Sequence, residues 1–457
     1  MNVVPSLLRV FVLSISFVAI VGNSSVFGQA VADAVAATPP KATPTDSVPT
    51  ALHDYVARPE PDFAWKVVRR LETPAGKLTE LRLTSQKWHD IVWQHAVEIF
   101  EPKTLKFPSH ALLFVTGGSQ PPKSADAGTI GMGTALAETS GMRVVVLHQV
   151  PNQPLFDGRK EDDLITETWL KYLEDGDETW PLLFPMVKSA VKTMDAVQQL
   201  SKDEYSTQID SFVITGASKR GWTSWLTPVA DKRIAATAPI VIDTLNFRAQ
   251  MQHQLDTWGS FSVQIKDYSS KGLIVLGEES KREKHLRLMM DPYTYREQLT
   301  LPKLLVNGTN DPYWVVDAMS KYWDDLKGPK YIIQLPNDGH GLKGGREKAL
   351  RTVGAFARMN ADGQPLPKLQ FSCDEAADRY VLSVVSDTAP ESVFFWRANS
   401  TDLDFRDDQW ESQEMAASED GSFHQNFAAE GHTAVFAELI FKTDGVPYSL
   451  CTLIYRR

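Results

Sequence analysis

The chain is poor in cysteine, in net positive charge and, beyond its first two dozen residues, in long apolar runs. Among 457 residues only Cys373 and Cys451 are cysteines. No Cys-x-x-Cys pair and no Cys/His ligand spacing occurs, so zinc is not suggested. Two cysteines in one region allow a Cys373–Cys451 disulfide in an oxidising compartment, and equally two free buried thiols. Lys and Arg number 47 against 57 Asp and Glu, a net charge of -10. That deficit argues against binding nucleic acid or an anionic membrane, since both need a basic face. The acidic stretch LEDGDETW (173–180) lacks the spacing of an EF-hand loop and reads as a solvated turn. No internal repeat is visible.

The one long apolar run stands at the N-terminus. Arg9 precedes an apolar core from Val10 to Val21, and small residues follow in NSSVFGQA. That is the layout of a secretory signal, assigned to residues 1–30. The run is shorter than the roughly 20 residues a membrane helix needs. An uncleaved membrane anchor is the alternative. Residues 31–50 are rich in Ala, Pro and Thr and read as a flexible tether. The expectation is a secreted or periplasmic protein with no stable membrane span once the signal is removed.

Residues 51–362 alternate strand-like and helix-like runs. ALLFVTGGS, RVVVLHQVPNQPL, SFVITGAS, IAATAPIVID, KLLVNGTNDP and YIIQLPNDGH are apolar stretches that each end in a polar or glycine-bearing turn. Bare apolar runs suit strands buried on both faces of a mainly parallel sheet. Ahead of them, KLTELRLTSQKW and IVWQHAVEIF look like antiparallel strands. PLLFPMVKSAVKTMDAVQQL and GREKALRTVGAFARM place apolar residues at helical steps of three and four. The alternation predicts an open α/β sheet. Between residues 244 and 300 it fails, and this insertion is where a substrate-binding cap tends to sit. From about residue 367 to 457, short alternating strands with Asp/Gly/Ser turns predict a small all-β sandwich.

Ligands bind at the carboxyl ends of the strands in such a sheet. Three polar residues stand at those ends: Ser218 after SFVIT, Asp311 after KLLVNGTN, and His340 after YIIQLPNDG. Their order is that of the α/β-hydrolase triad. A serine hydroxyl needs a base to take its proton. His340 suits that role, with Asp311 fixing its tautomer. Each also has a plain reading, as a turn serine, an Asx turn before Pro312, and a solvent histidine. The N–H of Lys219 is the expected first oxyanion donor, and Gly117 or Gly118 the source of a second. Lys219 or Arg220 would add positive charge near the oxyanion. The usual elbow is Gly-x-Ser-x-Gly, but Arg220 stands where the second glycine would be and Gly221 follows one place later. Asn152 and Gln153 line a rigid loop at the same sheet edge, and that loop is either pocket wall or a proline-fixed connection. Trp314, close to Asp311, is a further pocket candidate. Trp222 and Trp225 read as core.

GASKRGWTSWL, HQVPNQPLF, NGTNDPYW and DGHGL together resemble the PhoPQ-activated pathogenicity-related proteins, from about residue 51 into the C-terminal β region. The resemblance implies an α/β-hydrolase fold with Ser218, Asp311 and His340 at the triad positions, and relatives that include a secreted proliferation repressor with peptidase-like activity. The spacing after Ser218 is similar to the elbow of glucuronoyl esterases. The reading is therefore a secreted serine hydrolase acting on a small-molecule, peptide or saccharide-ester substrate, with a peptide amide slightly preferred over a carbohydrate ester. It needs no cofactor and no metal. The alternative is a binding or signalling module without turnover on the same scaffold.

Overall fold

The computed structural model describes residues 47–376 and 379–457. The expected signal segment, and the tether as far as residue 46, lie outside the described residues. The central element is a nine-stranded sheet, formed by β1 (Ala64–Thr73), β2 (Gly76–Trp88), β3 (Ile91–Pro102), β4 (His110–Val115), β5 (Arg143–Leu147), β6 (Ser211–Ala217), β7 (Ile234–Ile240), β8 (Lys303–Gly308) and β9 (Lys330–Leu335). Their order across the sheet is β1-β2-β3-β5-β4-β6-β7-β8-β9. Strands β1 to β3 and the β3–β5 pair are antiparallel. From β5 to β9 every pair is parallel. The six bare apolar runs are β4 to β9, and β4 and β5 are buried along nearly their whole length. This is the α/β-hydrolase arrangement, with the antiparallel lead-in expected of β2 and β3. Strand β1 has no bare apolar run to reveal it. It alternates exposed and half-buried positions, with Lys66, Arg70 and Glu72 outward, as suits a charged sheet edge.

Helices cover both faces. On one side lie α1 (Ala51–Ala57), α3 (Glu161–Asp175), α4 (Leu183–Glu204) and α5 (Lys219–Ala230), with Met186, Val187, Trp222 and Trp225 in one apolar cluster. On the other lie α2 (Ala127–Ser140) and α9 (Arg346–Ala361), with Leu136, Val353 and Phe356 in a second cluster. Between β7 and β8 the insertion forms α6 (Phe247–Trp258), α7 (Lys266–Ser269) and α8 (Lys281–Met290) with short 3₁₀ turns. It is the helical cap. Helix α8 opens with a capping box between Ser280 and Glu283, which satisfies two N-terminal N–H groups at once.

The C-terminal region holds two antiparallel sheets. One is β10 (Leu369–Ala376), β11 (Arg379–Ser386) and β14 (Phe423–Phe427). The other is β12 (Ser392–Ser400), β13 (Glu411–Glu414), β15 (His432–Thr443), β16 (Val446–Cys451) and β17 (Tyr455–Arg456). Leu382, Phe395 and Leu439 from these sheets share the second cluster with Phe356 of α9 and Ile333 of β9. Residues Val48–Arg457 form one compact unit.

The disulfide that the two cysteines allowed is not formed, and both thiols are free and buried. Cys373 lies in β10, opposite Leu382 of β11. Cys451 ends β16 in the other sheet, where its sulfur accepts the Gln334 N–H at 3.3 Å. The two residues belong to different sheets, and burial pushes both thiols above their ordinary range. Among the described residues no helix is long and apolar enough to cross a membrane.

Candidate active site

Strand β6 runs out at Ala217, and Ser218 follows with φ 59° and ψ -127° before α5 begins at Lys219. This positive-φ turn is the sharp bend that holds a strand-end hydroxyl outward. Gly216 makes it fit, because a Cβ there would meet the Arg220 carbonyl oxygen at 2.7 Å and the Arg220 Cβ at 2.9 Å. Arg220 can therefore carry a side chain where the common motif has glycine. Gly221 supplies the remaining clearance, since a Cβ on it would lie 2.6 Å from Ile242 Cγ2 and 3.1 Å from the Ile240 carbonyl oxygen.

The three strand-end residues meet. Ser218 Oγ and His340 Nε2 are 2.9 Å apart, and His340 Nδ1 is 2.8 Å from Asp311 Oδ2. With the Nδ1–H donated to the Asp311 carboxylate, Nε2 is the bare nitrogen that accepts from the serine hydroxyl. Asp311 Oδ1 accepts the Tyr313 N–H at 2.9 Å, so the Asx turn and the histidine contact are made by one side chain. The Tyr313 ring lies 4.2 Å from the imidazole, centroid to centroid. Burial, reinforced by the nearby Asp162, Asp311 and Glu161, pushes the Tyr313 phenol up to about 12. Behind Asp311, the buried Asp243 carboxyl takes hydrogen bonds from Tyr322 and from Asn307 Nδ2. Burial pushes it up to about 7, against the Tyr322 hydrogen bond and with help from the charges of Asp311 and Asp317.

The two cations after Ser218 are both compensated by carboxylates. Arg220 places its guanidinium on both oxygens of Glu161, at 2.7 and 2.8 Å, and its Nε donates to the Val150 carbonyl. Lys219 Nζ lies 2.9 Å from Glu161 and 3.2 Å from Asp162. Burial pushes the Glu161 carboxyl upward, but the Arg220 hydrogen bonds and charge, with Lys219 and Gln153, outweigh it and hold it far below the usual range. Neither cation is thus left over for an oxyanion. The Lys219 backbone N–H is a different matter. As the first N–H of α5 it has no acceptor within the helix, and it sits at the positive end of the helix dipole.

Gly117 and Gly118 follow β4, whose end pairs with β6 beside the serine turn. Gly117 packs against the Arg220 guanidinium, where a Cβ would lie 2.6 Å from one of its nitrogens, and Gly118 adopts φ +127° against Gln149. Neither lines the cavity at Ser218. Asn152 and Gln153 do not line it either. Asn152 Nδ2 donates to the Gln94 carbonyl at 2.7 Å. Gln153 bonds the Glu161 carboxylate and backbone and the Gly118 carbonyl. They buttress the loops beneath Glu161, so the connection reading of that segment fits and the pocket-wall reading does not. The Arg220 side chain is likewise outside the cavity.

The cavity, about 460 Å³ when the solvent open to it is counted, has Ser218 and His340 in its wall. Trp314 lines it, as the sequence suggested, and so does Trp222, which was read as core and is also 4% exposed. The cap contributes Phe247, Met251, Ile265 and Tyr268. Asp162 is its acidic residue, held by Lys219 and by the Tyr268 hydroxyl at 3.1 Å. Sequence reasoning missed Glu161, Asp162 and the cap residues. The signal available for the acids, a GRKEDDL run, is indistinguishable from ordinary acidic enrichment at a helix start.

The loops that carry Asp311 and His340 are gripped from the C-terminal region. Asn310 Nδ2 lies within 3.2 Å of the Phe405, Arg406 and Asp408 carbonyls. Asn337 exchanges two hydrogen bonds with the Trp410 backbone, at 2.7 and 3.0 Å. The loops also bind each other, through Asn310 N–H to the Asp338 carbonyl and Asn337 N–H to Thr309 Oγ1, both at 3.0 Å.

Comparison with known proteins gives one family. The model for the PhoPQ-activated pathogenicity-related protein matches residues 52–406. Autocrine proliferation repressor protein A of Dictyostelium discoideum is 34% identical over 383 residues, covering 78% of this chain and 76% of that protein. Among solved structures, acetyl xylan esterase 1 from Thermoanaerobacterium sp. JW/SL YS485 overlays with a TM-score of 0.46 at 16% identity, over 68% of this chain and 95% of that one. An acetyl xylan esterase from Paenibacillus sp. R4 gives 0.41 at 13% identity, over 67% and 91%.

Proposed function

Since the chain belongs to the PhoPQ-activated pathogenicity-related protein family, whose membership leaves the substrate open, we propose from the site itself that it is a serine hydrolase for esters of apolar acyl groups. The observation that carries this is the continuous relay from Ser218 Oγ through His340 to Asp311, at 2.9 and 2.8 Å, in the wall of a mostly apolar cavity. Ser218 Oγ attacks the ester carbonyl while His340 Nε2 takes its proton. The tetrahedral oxyanion is stabilised by the Lys219 N–H at the start of α5. His340 then protonates the leaving alcohol as the C–O bond breaks and the acyl group remains on Ser218. Water, deprotonated by His340, releases the acid and restores the serine. Asp311 holds the imidazole and stabilises its cation in both halves.

An ester is preferred over a peptide because the two carboxylates nearest the site, Glu161 and Asp162, are ion-paired to Arg220 and Lys219. Neither is left to hold a peptide amine. Turnover of short p-nitrophenyl esters by the purified protein, abolished in Ser218→Ala, is the expected result. A chain that hydrolyses neither these nor peptide amides, while Ser218→Ala behaves as wild type in binding or cell assays, would favour the signalling alternative. The name of the Dictyostelium relative is what supports that second reading. Export through the N-terminal apolar segment belongs to the proposal too. Sequencing the N-terminus of protein recovered outside the cytoplasm checks it, and recovery only in the cytoplasm would count against it.

A further inference from the structure

We infer that a second chamber behind the Ser218 cavity receives the far end of the substrate's acyl chain, so that the substrate class is esters of medium-length aliphatic acids. The inference rests on the hydrolase reading above. The hollow, about 570 Å³ when the solvent open to it is counted, shares Trp222, Phe247, Met251 and Ile274 with the reactive cavity. These four residues are the partition between the two spaces. Trp222 stands one helical turn beyond the nucleophile, with its N–H on the Ser218 carbonyl and its indole N–H on the Met290 carbonyl. Phe247 stacks on it at 6.4 Å and 27°. Its backbone is fixed by Asp291, whose carboxylate accepts the Phe247 N–H at 2.7 Å. Phe247 and Ile274 are only half-buried, so the partition is not a sealed core layer.

Beyond it the walls are apolar, with Trp169 and Leu173 from α3, Leu273 and Leu276 from the segment before α8, and Leu286 and Met290 from α8. The run Leu273–Leu276 consists of four consecutive apolar residues outside any helix or strand, all half-buried, with Leu273, Ile274 and Leu276 packed against the main apolar cluster. It lies over the outer space, with Ile274 reaching both, a placement that suits the roof of an apolar occupant. The charged residues at the rim are engaged with one another or with backbone. Glu279 holds Arg287 at 2.7 and 2.8 Å and Arg248 at 3.2 Å. Glu283 accepts the Ser280 N–H at 2.7 Å, and Asp291 accepts three backbone N–H groups. Nothing there calls for a charged ligand. An acyl chain with its carbonyl at Ser218 enters by passing Trp222 and Phe247.

Each methylene so buried raises kcat/KM by roughly four-fold, the transfer value of one CH₂ group. The test is a p-nitrophenyl ester series from acetate to decanoate, run on the full chain and on two variants that fill only the outer chamber, Leu276→Trp and Leu173→Phe. Wild type is expected to improve from acetate to about octanoate. Both variants should lose about ten-fold or more on octanoate and keep their acetate rate. An unchanged chain-length profile in both variants would overturn the inference and leave the hydrolase reading standing. So would an equal loss on acetate and octanoate in both, since the chamber would then not be a separate subsite. No turnover at any length, with Ser218 inert to a fluorophosphonate, would remove both.

Discussion

Ser218 holds φ 59° and ψ -127°, a state an L-residue keeps only where its surroundings compel it. The compulsion comes from Gly216 and Gly221, which let strand and helix close around the turn. Gly216→Ala would drive a methyl into the Arg220 carbonyl at 2.7 Å. We expect a loss of about 1–3 kcal/mol, as for other overpacked sites, with esterase activity falling further than stability. Urea unfolding and kcat measured side by side check this. Asp311 divides its oxygens between the His340 ring and the Tyr313 N–H. Asp311→Asn can keep the turn through its remaining carbonyl oxygen, but it offers the imidazole an amide in place of a charge. In the Ser-His-Asp template this costs about 10⁴-fold in kcat, and a drop of that order with an unchanged melting temperature is expected here.

Among the elements, β4 to β9 were legible because strands buried on both faces carry uninterrupted apolar runs. The start of α3 was not. Glu161 meets Arg220 59 residues further along the chain, and no local pattern announces a partner at that distance. The ion pairs of Glu161 with Arg220 and Lys219 tie α3 to the Ser218 turn. Glu161→Gln leaves two nearly buried cations short of charge. Because the Glu161 side chain is 41% exposed, the expected cost is about 1–2 kcal/mol, below that of a fully buried pair. Its pH dependence has a definite sign. The folded-state pKa is depressed from the ordinary 4.5, so the stabilisation is present above that value and fades as pH falls through it towards the folded pKa. Melting curves of wild type and Glu161→Gln should therefore differ at pH 7, begin to draw together as pH falls below about 4.5, and meet only at pH values far lower, near the depressed folded-state pKa. A constant gap would contradict the assignment.

Across the whole molecule, the C-terminal sheets do more than sit beside the hydrolase sheet. Their 405–410 segment grips Asn310 and Asn337, which flank Asp311 and precede His340 by three positions. In the sequence both asparagines look like turn formers, and only the folded chain shows their partners 73 or more residues away. The Ser218, Asp311 and His340 order was legible because strand ends converge in this fold. The cap residues that shape the cavity were not, since α6 to α8 follow no sheet alternation. If the grip positions the relay, Asn310→Ala with Asn337→Ala should lower kcat by about ten- to a hundred-fold, as expected for a misplaced catalytic group. KM should move much less, and the kcat/KM split at a temperature where the variant stays folded is the check. The central claim, an activated Ser218, is tested most directly by mass spectrometry of the protein after a fluorophosphonate probe. A single adduct on Ser218, absent in Ser218→Ala and strongly slowed in folded His340→Ala, is the predicted result. A folded wild-type protein that takes no adduct, or takes it equally well without His340, would contradict the account.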